Sequence, residues 1–391
     1  MIVRQFLSWV RTAPAGERAE ATRALARAWL LSDLCDEDRS AAEGALLMQL
    51  DDPSPLVRQA MAEVFARSED APAAIVQALA TDQPSVAAII LEHSPLLIDA
   101  DLVDIVATGN SETQCAIARR IGVPAPVCAA IAEVGSAAAA LELIENAYAE
   151  LAPFSWDRIV ERHGHLAAIR EAMLVLDDLP AATRAALVDK LSETLAQFVV
   201  ARNWLSADRA DRITSEARDR STISIAARSR GEELRGLVQH LRVTSQLTAG
   251  LILRALLSGN VELFEIALSE LSEMPRARVS ALLNDRGRAS LQGLLRKAGI
   301  PDTTFDAFAI ALEVCRENGF ADTLSGAAIL RRKMVERVLT HCATDRDAAE
   351  PLLILLRRFA TESARDEARE FCDEVMAEDF VAGLEFGLIA A

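Results

Sequence analysis

The sequence predicts an all-α fold, a superhelix of stacked helical pairs with additional helices at the C-terminus, and three observations carry that prediction. First, 51% of the 391 residues are hydrophobic but only 4% are aromatic, with Tyr148 the one tyrosine, so the apolar material is Ala, Leu, Val and Ile. Ala and Leu are strong helix formers, and small side chains let helix axes approach closely. Second, apolar residues recur at three- and four-residue spacing, as in Ala21, Ala24, Leu25, Ala28 and Trp29, while strand-like alternation is lacking. Third, polar punctuators interrupt this pattern: Asp51-Asp52-Pro53-Ser54-Pro55, Asp82-Gln83-Pro84, Gly109-Asn110, Gly122-Val123-Pro124, Gly259-Asn260 and Gly299-Ile300-Pro301. Periodicity this pervasive predicts helix over more than about 65% of the residues and negligible sheet.

Residues 1–150 hold the clearest repeats. Asp52-Pro53-Ser54-Pro55-Leu56-Val57-Arg58-Gln59-Ala60 looks like the turn and second helix of a HEAT repeat. Asp and Pro set the turn, Leu56 and Val57 go to the core, and Arg58 is placed to reach an Asp of a neighbouring turn. Echoes follow at Asp82-Gln83-Pro84-Ser85-Val86-Ala87, Gly109-Asn110-Ser111-Glu112 and Gly135-Ser136. Residues 151–245 read as a basic connecting region of long helices, because 181–242 lacks Pro and has only Gly231 and Gly236. Breaks are expected near Asn203-Trp204-Leu205-Ser206 and near Ser229-Arg230-Gly231. Residues 246–301 read as further HEAT-like helical pairs, since Ile105-Val106-Ala107-Thr108-Gly109-Asn110-Ser111-Glu112 is echoed by Leu256-Leu257-Ser258-Gly259-Asn260-Val261-Glu262. Residues 302–391 form a C-terminal helical segment. It opens on a capping-box arrangement, Thr303-Thr304-Phe305-Asp306, and contains an apolar helix begun by Pro351 and continued by Leu352-Leu353-Ile354-Leu355-Leu356.

Four of these stretches together resemble an alphaproteobacterial domain-of-unknown-function family with HEAT-like repeats. They are the Asp-x-x-Pro-x-Val-Arg turn at 52–58, Ser94-Pro95-Leu96-Leu97 before Asp101-Leu102, the Leu-Leu-Ser-Gly-Asn-Val-Glu-Leu-Phe-Glu run at 256–265, and Leu282-Leu283-Asn284-Asp285. The resemblance spans residues 40–300 in round numbers. It implies a bacterial helical repeat protein and brings no catalytic residues with it.

Motifs for chemistry are lacking. No P-loop, dinucleotide glycine fingerprint, Gly-x-Ser-x-Gly elbow or His-Glu-x-x-His helix occurs. The expectation is a non-enzyme with no cofactor, no metal and no catalytic residue. Glu161-Arg162-His163-Gly164-His165 reads as a polar helix end, since residues two apart on a helix point away from each other. Asp51-Asp52 and Asp177-Asp178 read as caps beside helix boundaries. Cys115, Cys128 and Cys315 fall on apolar faces without a His or Lys beside them, and His341-Cys342 are helical neighbours that do not face each other.

Charge selects among function classes. The net charge of -17 disfavours nucleic acid and anionic membrane as partners, because both need cationic surface. Residues 201–298 reverse the sign, with 16 basic and 11 acidic side chains. Only Lys190, Lys297 and Lys333 are lysines, an Arg bias that matches the codon usage of a GC-rich bacterial genome. Within the basic stretch, Arg202, Arg209, Arg212, Arg218, Arg220, Arg228, Arg230, Arg235 and Arg242 stand three or four residues from acids in several places, as on a solvated face laced with weak ion pairs. The sharper alternative is that Arg228, Arg230 and Arg235, with Ser229, clamp a phosphate or an acidic partner helix. The leading functional expectation is a scaffold or regulator that receives a protein partner. The second is a receptor for a small anionic ligand such as a nucleotide at 201–242, and the third an enzyme of unrecognised type. A long open groove would favour the first, and a pocket with three or more unpaired arginines the second. The Met1–Arg11 stretch is too short and charged for a signal-peptide core, and the scattered cysteines form no CxxC pair, so a cytoplasmic location is expected.

Overall fold

This computed structural model describes residues 2–285, 287–318, 324–344 and 352–365, with positions 350, 368, 369 and 372. Helix accounts for 77% of the described residues, and no strand forms among them. One isolated bridge pairs Val123 with Ala149. The contact pattern divides the chain once, into Met1–Leu179 and Pro180–Ala391, where the sequence reading placed breaks at 150, 245 and 301.

The first unit runs α1 (Ile2–Val10), α2 (Ala15–Leu31), α3 (Asp36–Gln49), α4 (Pro55–Phe65), α5 (Ala73–Ala80), α6 (Pro84–His93), α7 (Asp99–Thr108), α8 (Ser111–Ala118), α9 (Ala125–Val134), α10 (Ala137–Glu145), α11 (Pro153–His163) and α12 (Ala167–Leu174). Every expected break in this stretch falls between helices. Pro55, Pro84 and Pro153 occupy the first helical position, where a missing N–H costs no hydrogen bond. From α2 to α12 the even-numbered helices touch in succession, and α7, α9 and α11 do the same in a second row. Phe65, Leu79, Ile90, Ile117, Ile131 and Leu143 are buried in the core of these helices.

Arginines tie successive turns of this unit together. Arg18 donates from Nε and Nη2 to the two oxygens of Asp52, both at 2.8 Å. Arg58 does the same to Asp82, at 2.5 and 3.0 Å, and its Nη1 donates to the carbonyl of Asp52. Further along, Arg120 donates to the carbonyls of Leu91 and Ser94, and Arg162 to those of Ala132 and Gly135. These four carbonyls lie in the last turn of α6 or α9 or just beyond it, where helices leave acceptors unspent. From Arg58 onward, the partners of these arginines stand 24 to 30 residues away in sequence, apart from the Asp52 carbonyl. Asp52 also accepts from the Ser54 N–H at 2.8 Å, so it shapes the turn while Ser54 takes the cap position. Burial alone would raise the Asp52 carboxyl, but the bonds from Arg18 and Ser54 outweigh it and hold it below the usual carboxylate range.

The second unit runs α13 (Ala181–Ala201), α14 (Ala207–Arg228), α15 (Gly231–Val243), α16 (Ala249–Leu257), α17 (Val261–Ser272), α18 (Arg276–Asn284), α19 (Arg288–Lys297), α20 (Phe305–Asn318), α21 (Leu324–Thr344) and α22, the helical stretch 352–365. The two long-helix breaks fall where the sequence placed them. Asn260 caps α17 as Asn110 caps α8, each side-chain oxygen accepting backbone N–H groups of the first turn. α16 packs on α17, α20 and α21, and every residue from Leu251 to Leu257 is buried, Arg254 included.

Two local expectations are corrected. Leu56 is 55% exposed while Val57 is fully buried, because neighbours on a helix point about 100° apart and only one of the two can face the core. The capping box at Thr303-Thr304-Phe305-Asp306 does not form; Asp302–Thr304 make a 3-10 turn in which the Thr304 hydroxyl donates to the Pro301 carbonyl. Pro351 lies outside the described residues.

Val57→Asp is expected to destabilise by several kcal/mol, because it buries a carboxylate with no partner. Arg58→Ala is expected to cost less, about 2 kcal/mol, by leaving the mostly buried Asp82 unpaired. Thermal melts of both variants against the parent check that order. The Asp52 contribution is present above the ordinary carboxylate pKa of about 3.9 and is lost as pH falls through its lower folded value.

Candidate functional site

A cavity of about 490 Å³ opens in the second unit. α14 lines it with Arg220, Ser221, Ile223, Ser224 and Ala227; α16 and its exit turn with Arg254, Ser258 and Asn260; α21 with Arg331; and α22 with Phe359, Glu362 and Ser363. The turn needs Gly259, whose φ of +78° lets α16 stop and α17 start with three residues between them, so that Ser258 and Asn260 both reach the lining.

Arg254 is the centre of the arrangement. Its side chain is 5% exposed, its Nη1 donates to Glu362 Oε2 at 2.6 Å, and its guanidinium lies over the Phe359 ring at 5.4 Å. Arg220 Nη2 stands 3.3 Å from the other Glu362 oxygen, so one carboxylate bridges two arginines. Three further donors are buried without a hydrogen-bond partner: Arg254 Nε, Asn260 Nδ2 and Arg331 Nε. The Asn260 amide has a fixed orientation, because its oxygen accepts the Leu263 N–H at 3.1 Å and leaves the nitrogen as the spare group. All three unspent atoms are donors, and all three belong to side chains lining this one cavity.

The charge balance has the same sign: three arginines line the cavity against one glutamate. Asp219 lies nearby on α14, and burial pushes its carboxyl above the ordinary range against the pull of Arg254 and Arg218, with Glu362 adding to the rise. Such a site can hold an acceptor-rich anion. A separate polar cluster joins α13, α14 and the turn after α15: Asp189 accepts from Gln246 Nε2 at 2.6 Å, and its other oxygen stands 3.6 Å from Arg218 Nε.

The three arginines singled out from the sequence occupy other places. Arg228 is exposed at the end of α14. Arg230 donates to the carbonyls of Ala227 and Ser229, and it lines a neighbouring cleft that shares Ala227, Ser258 and Asn260 with the cavity. Arg235 pairs with Glu232 one turn away. Of the wider arginine series only Arg220 reaches the cavity, and Arg254 and Arg331 are its unforeseen members. One signal pointed to Arg254: it is the single charge in the apolar run Leu251-Ile252-Leu253-Arg254-Ala255-Leu256-Leu257. Several of the ion pairs in the basic stretch also run between helices rather than along them, as in Arg242 with Glu270 and Arg254 with Glu362.

His163 ends α11 with Nε2 3.4 Å from the Gly135 carbonyl, and burial, then Arg162, lowers its pKa. Among the described residues no grouping of three or more His, Cys, Asp or Glu is poised for a metal. Cys115, Cys128, Cys315 and Cys342 are buried, and burial pushes the Cys128 thiol up to about 11.

These features define an all-helical protein with a polar cavity. A family model described as an uncharacterised protein conserved in bacteria, DUF2336, matches residues 86–346, and the chain belongs to that family. The match begins beyond the Asp52 turn and continues through α21, which carries Arg331, leaving Phe359 and Glu362 outside it. No curated protein and no solved structure matches the chain.

Arg254→Met is expected to cost about 3 kcal/mol, by leaving Glu362 without its shortest bond. Glu362→Gln in that background should restore part of the loss, and a double-mutant cycle on chemical denaturation measures the coupling. In the native protein at pH 8, a thiol reagent should modify the exposed Cys35 and Cys372 first, and the four buried thiols only on unfolding.

Proposed function

We propose that this chain is a non-catalytic binding protein whose second unit is a receptor for a small anionic ligand. The observation that carries the reading is the set of three unpartnered buried donors, Arg254 Nε, Asn260 Nδ2 and Arg331 Nε, around one cavity. A buried donor left without an acceptor costs about 1–3 kcal/mol, so a fold that keeps three together gains that much back when an acceptor-only ligand arrives. The feature expected of a receptor was a pocket with three or more unpaired arginines; three arginines line this cavity, but Arg220 and Arg254 both engage Glu362. Glu362, shared between Arg220 and Arg254, offsets one of the three positive charges in the lining.

A second reading, a protein-interaction scaffold, is favoured by the first unit. Its row of even-numbered helices and its interturn bonds at offsets of 24 to 30 residues are what a HEAT-like superhelical solenoid requires, and such arrays offer long faces to partner segments. The two readings are compatible, with the first unit engaging a protein and the second sensing a ligand. We place the protein in the bacterial cytoplasm, of alphaproteobacterial type by its sequence resemblance. Its family is conserved in bacteria, and no described helix is long and apolar enough to cross a membrane. The net charge of -17 argues against nucleic acid as the anion.

Thermal denaturation in phosphate, sulfate or succinate, with chloride holding ionic strength constant, tests the receptor reading. At least one of these anions should raise Tm above the chloride baseline by linkage, and Arg331→Ala should abolish the rise. Equal melting in all four salts would remove the reading.

A further inference from the structure

We infer that the cavity lined by Arg220, Arg254 and Arg331 takes a phosphate monoester, bound as its dianion. The inference rests on the receptor reading above and narrows its ligand. The first argument is the number and origin of the unspent donors. Arg254 Nε comes from α16, Asn260 Nδ2 from the cap of α17 and Arg331 Nε from α21, so three separate elements each present one N–H. A carboxylate offers two oxygens in one plane. A phosphate monoester offers three terminal oxygens in a pyramid, one for each donor, with lone pairs left for hydroxyls. Ser224, Ser258 and Ser363 line the same space and supply them, while the Ser221 hydroxyl already donates to the Ala217 carbonyl.

Charge is the second argument. Three arginines against the one carboxylate of Glu362 give the lining side chains a net of two positive charges. A phosphate monoester carries close to two negative charges above its second pKa of about 6. A diester carries one and leaves a buried guanidinium unmatched. The cap of the twelve-residue helix α17 reaches the lining through Asn260, which adds the favourable end of a helix dipole. At about 490 Å³ the cavity exceeds the phosphoryl group alone, so the alcohol portion of the ester fits inside it.

The test uses the full chain with methyl phosphate, dimethyl phosphate and succinate, followed by phosphorus NMR for the first two and calorimetry for all three at fixed ionic strength. Methyl phosphate should bind at one site at pH 7.5, at least about tenfold more tightly than dimethyl phosphate, and weaken about tenfold at pH 5, where it is a monoanion. Arg331→Ala, and independently the more exposed Arg220→Ala, should each weaken it by about tenfold with unchanged far-ultraviolet circular dichroism. Succinate binding more tightly than methyl phosphate, and lost in Arg331→Ala, would overturn the phosphate assignment and leave the receptor reading standing. Absence of binding by every anion would overturn both. Methyl phosphate binding that neither arginine variant changes would overturn the placement in this cavity.

Discussion

The second unit depends on how one guanidinium is held inside α16. Six of the seven consecutive buried residues from Leu251 to Leu257 are apolar, and Arg254 is the seventh. An unpaired charge there would cost far more than the domain could spare, so the surrounding structure supplies a counter-ion and an aromatic face. Glu362 and Phe359 are both on α22, 108 and 105 residues along the chain from Arg254, and the contact therefore fastens α22 to α16. Glu362 satisfies one nitrogen of Arg254 and also engages Arg220. What it leaves over, the Nε of Arg254, joins the spare donors of Asn260 and Arg331 at the cavity.

The first unit solves a related problem differently. Packed short helices expose many terminal carbonyls, and a core of Ala, Leu and Ile has nothing to offer them. Arginines from a later turn fill the role: Arg120 spans the carbonyls of Leu91 and Ser94, and Arg162 those of Ala132 and Gly135. A guanidinium fork reaches two acceptors at once in fixed geometry, which an ammonium group does not. The scarcity of lysine, readable as genome composition, thus has a structural use. Asp52 and Asp82 bring the same forks to the turns themselves, where each carboxylate shapes its own loop and receives an arginine from elsewhere.

Placement of the cavity follows from both features of the second unit. α16 must end abruptly for Ser258 and Asn260 to line it, which Gly259 allows, and α22 must return for Glu362 to reach Arg254. The cavity is therefore a product of a short-range turn and a long-range ion pair. Its lining holds three buried donors without acceptors beside the Arg254–Glu362 pair.

The sequence by itself determined the helices, their breaks and much of the turn chemistry, because periodicity, proline, glycine and capping residues act within a few positions of where they stand. Val57 inside, Arg58 reaching the next turn's Asp82, the matching breaks at Gly109-Asn110 and Gly259-Asn260, and long helices across 181–242 were all legible in this way. Tertiary structure alone decided which charged groups meet. Arg228, Arg230 and Arg235 are conspicuous in sequence because they cluster, yet clustering along a helix disperses side chains around it, and only Arg230 reaches even the adjoining cleft. Arg254 and Arg331 stand 77 residues apart and lie among apolar or mixed neighbours, so no local pattern joins them. Leu56 shows the same limit at the smallest scale: hydrophobicity named it for the core, and the rotation of one helical step turned it to solvent.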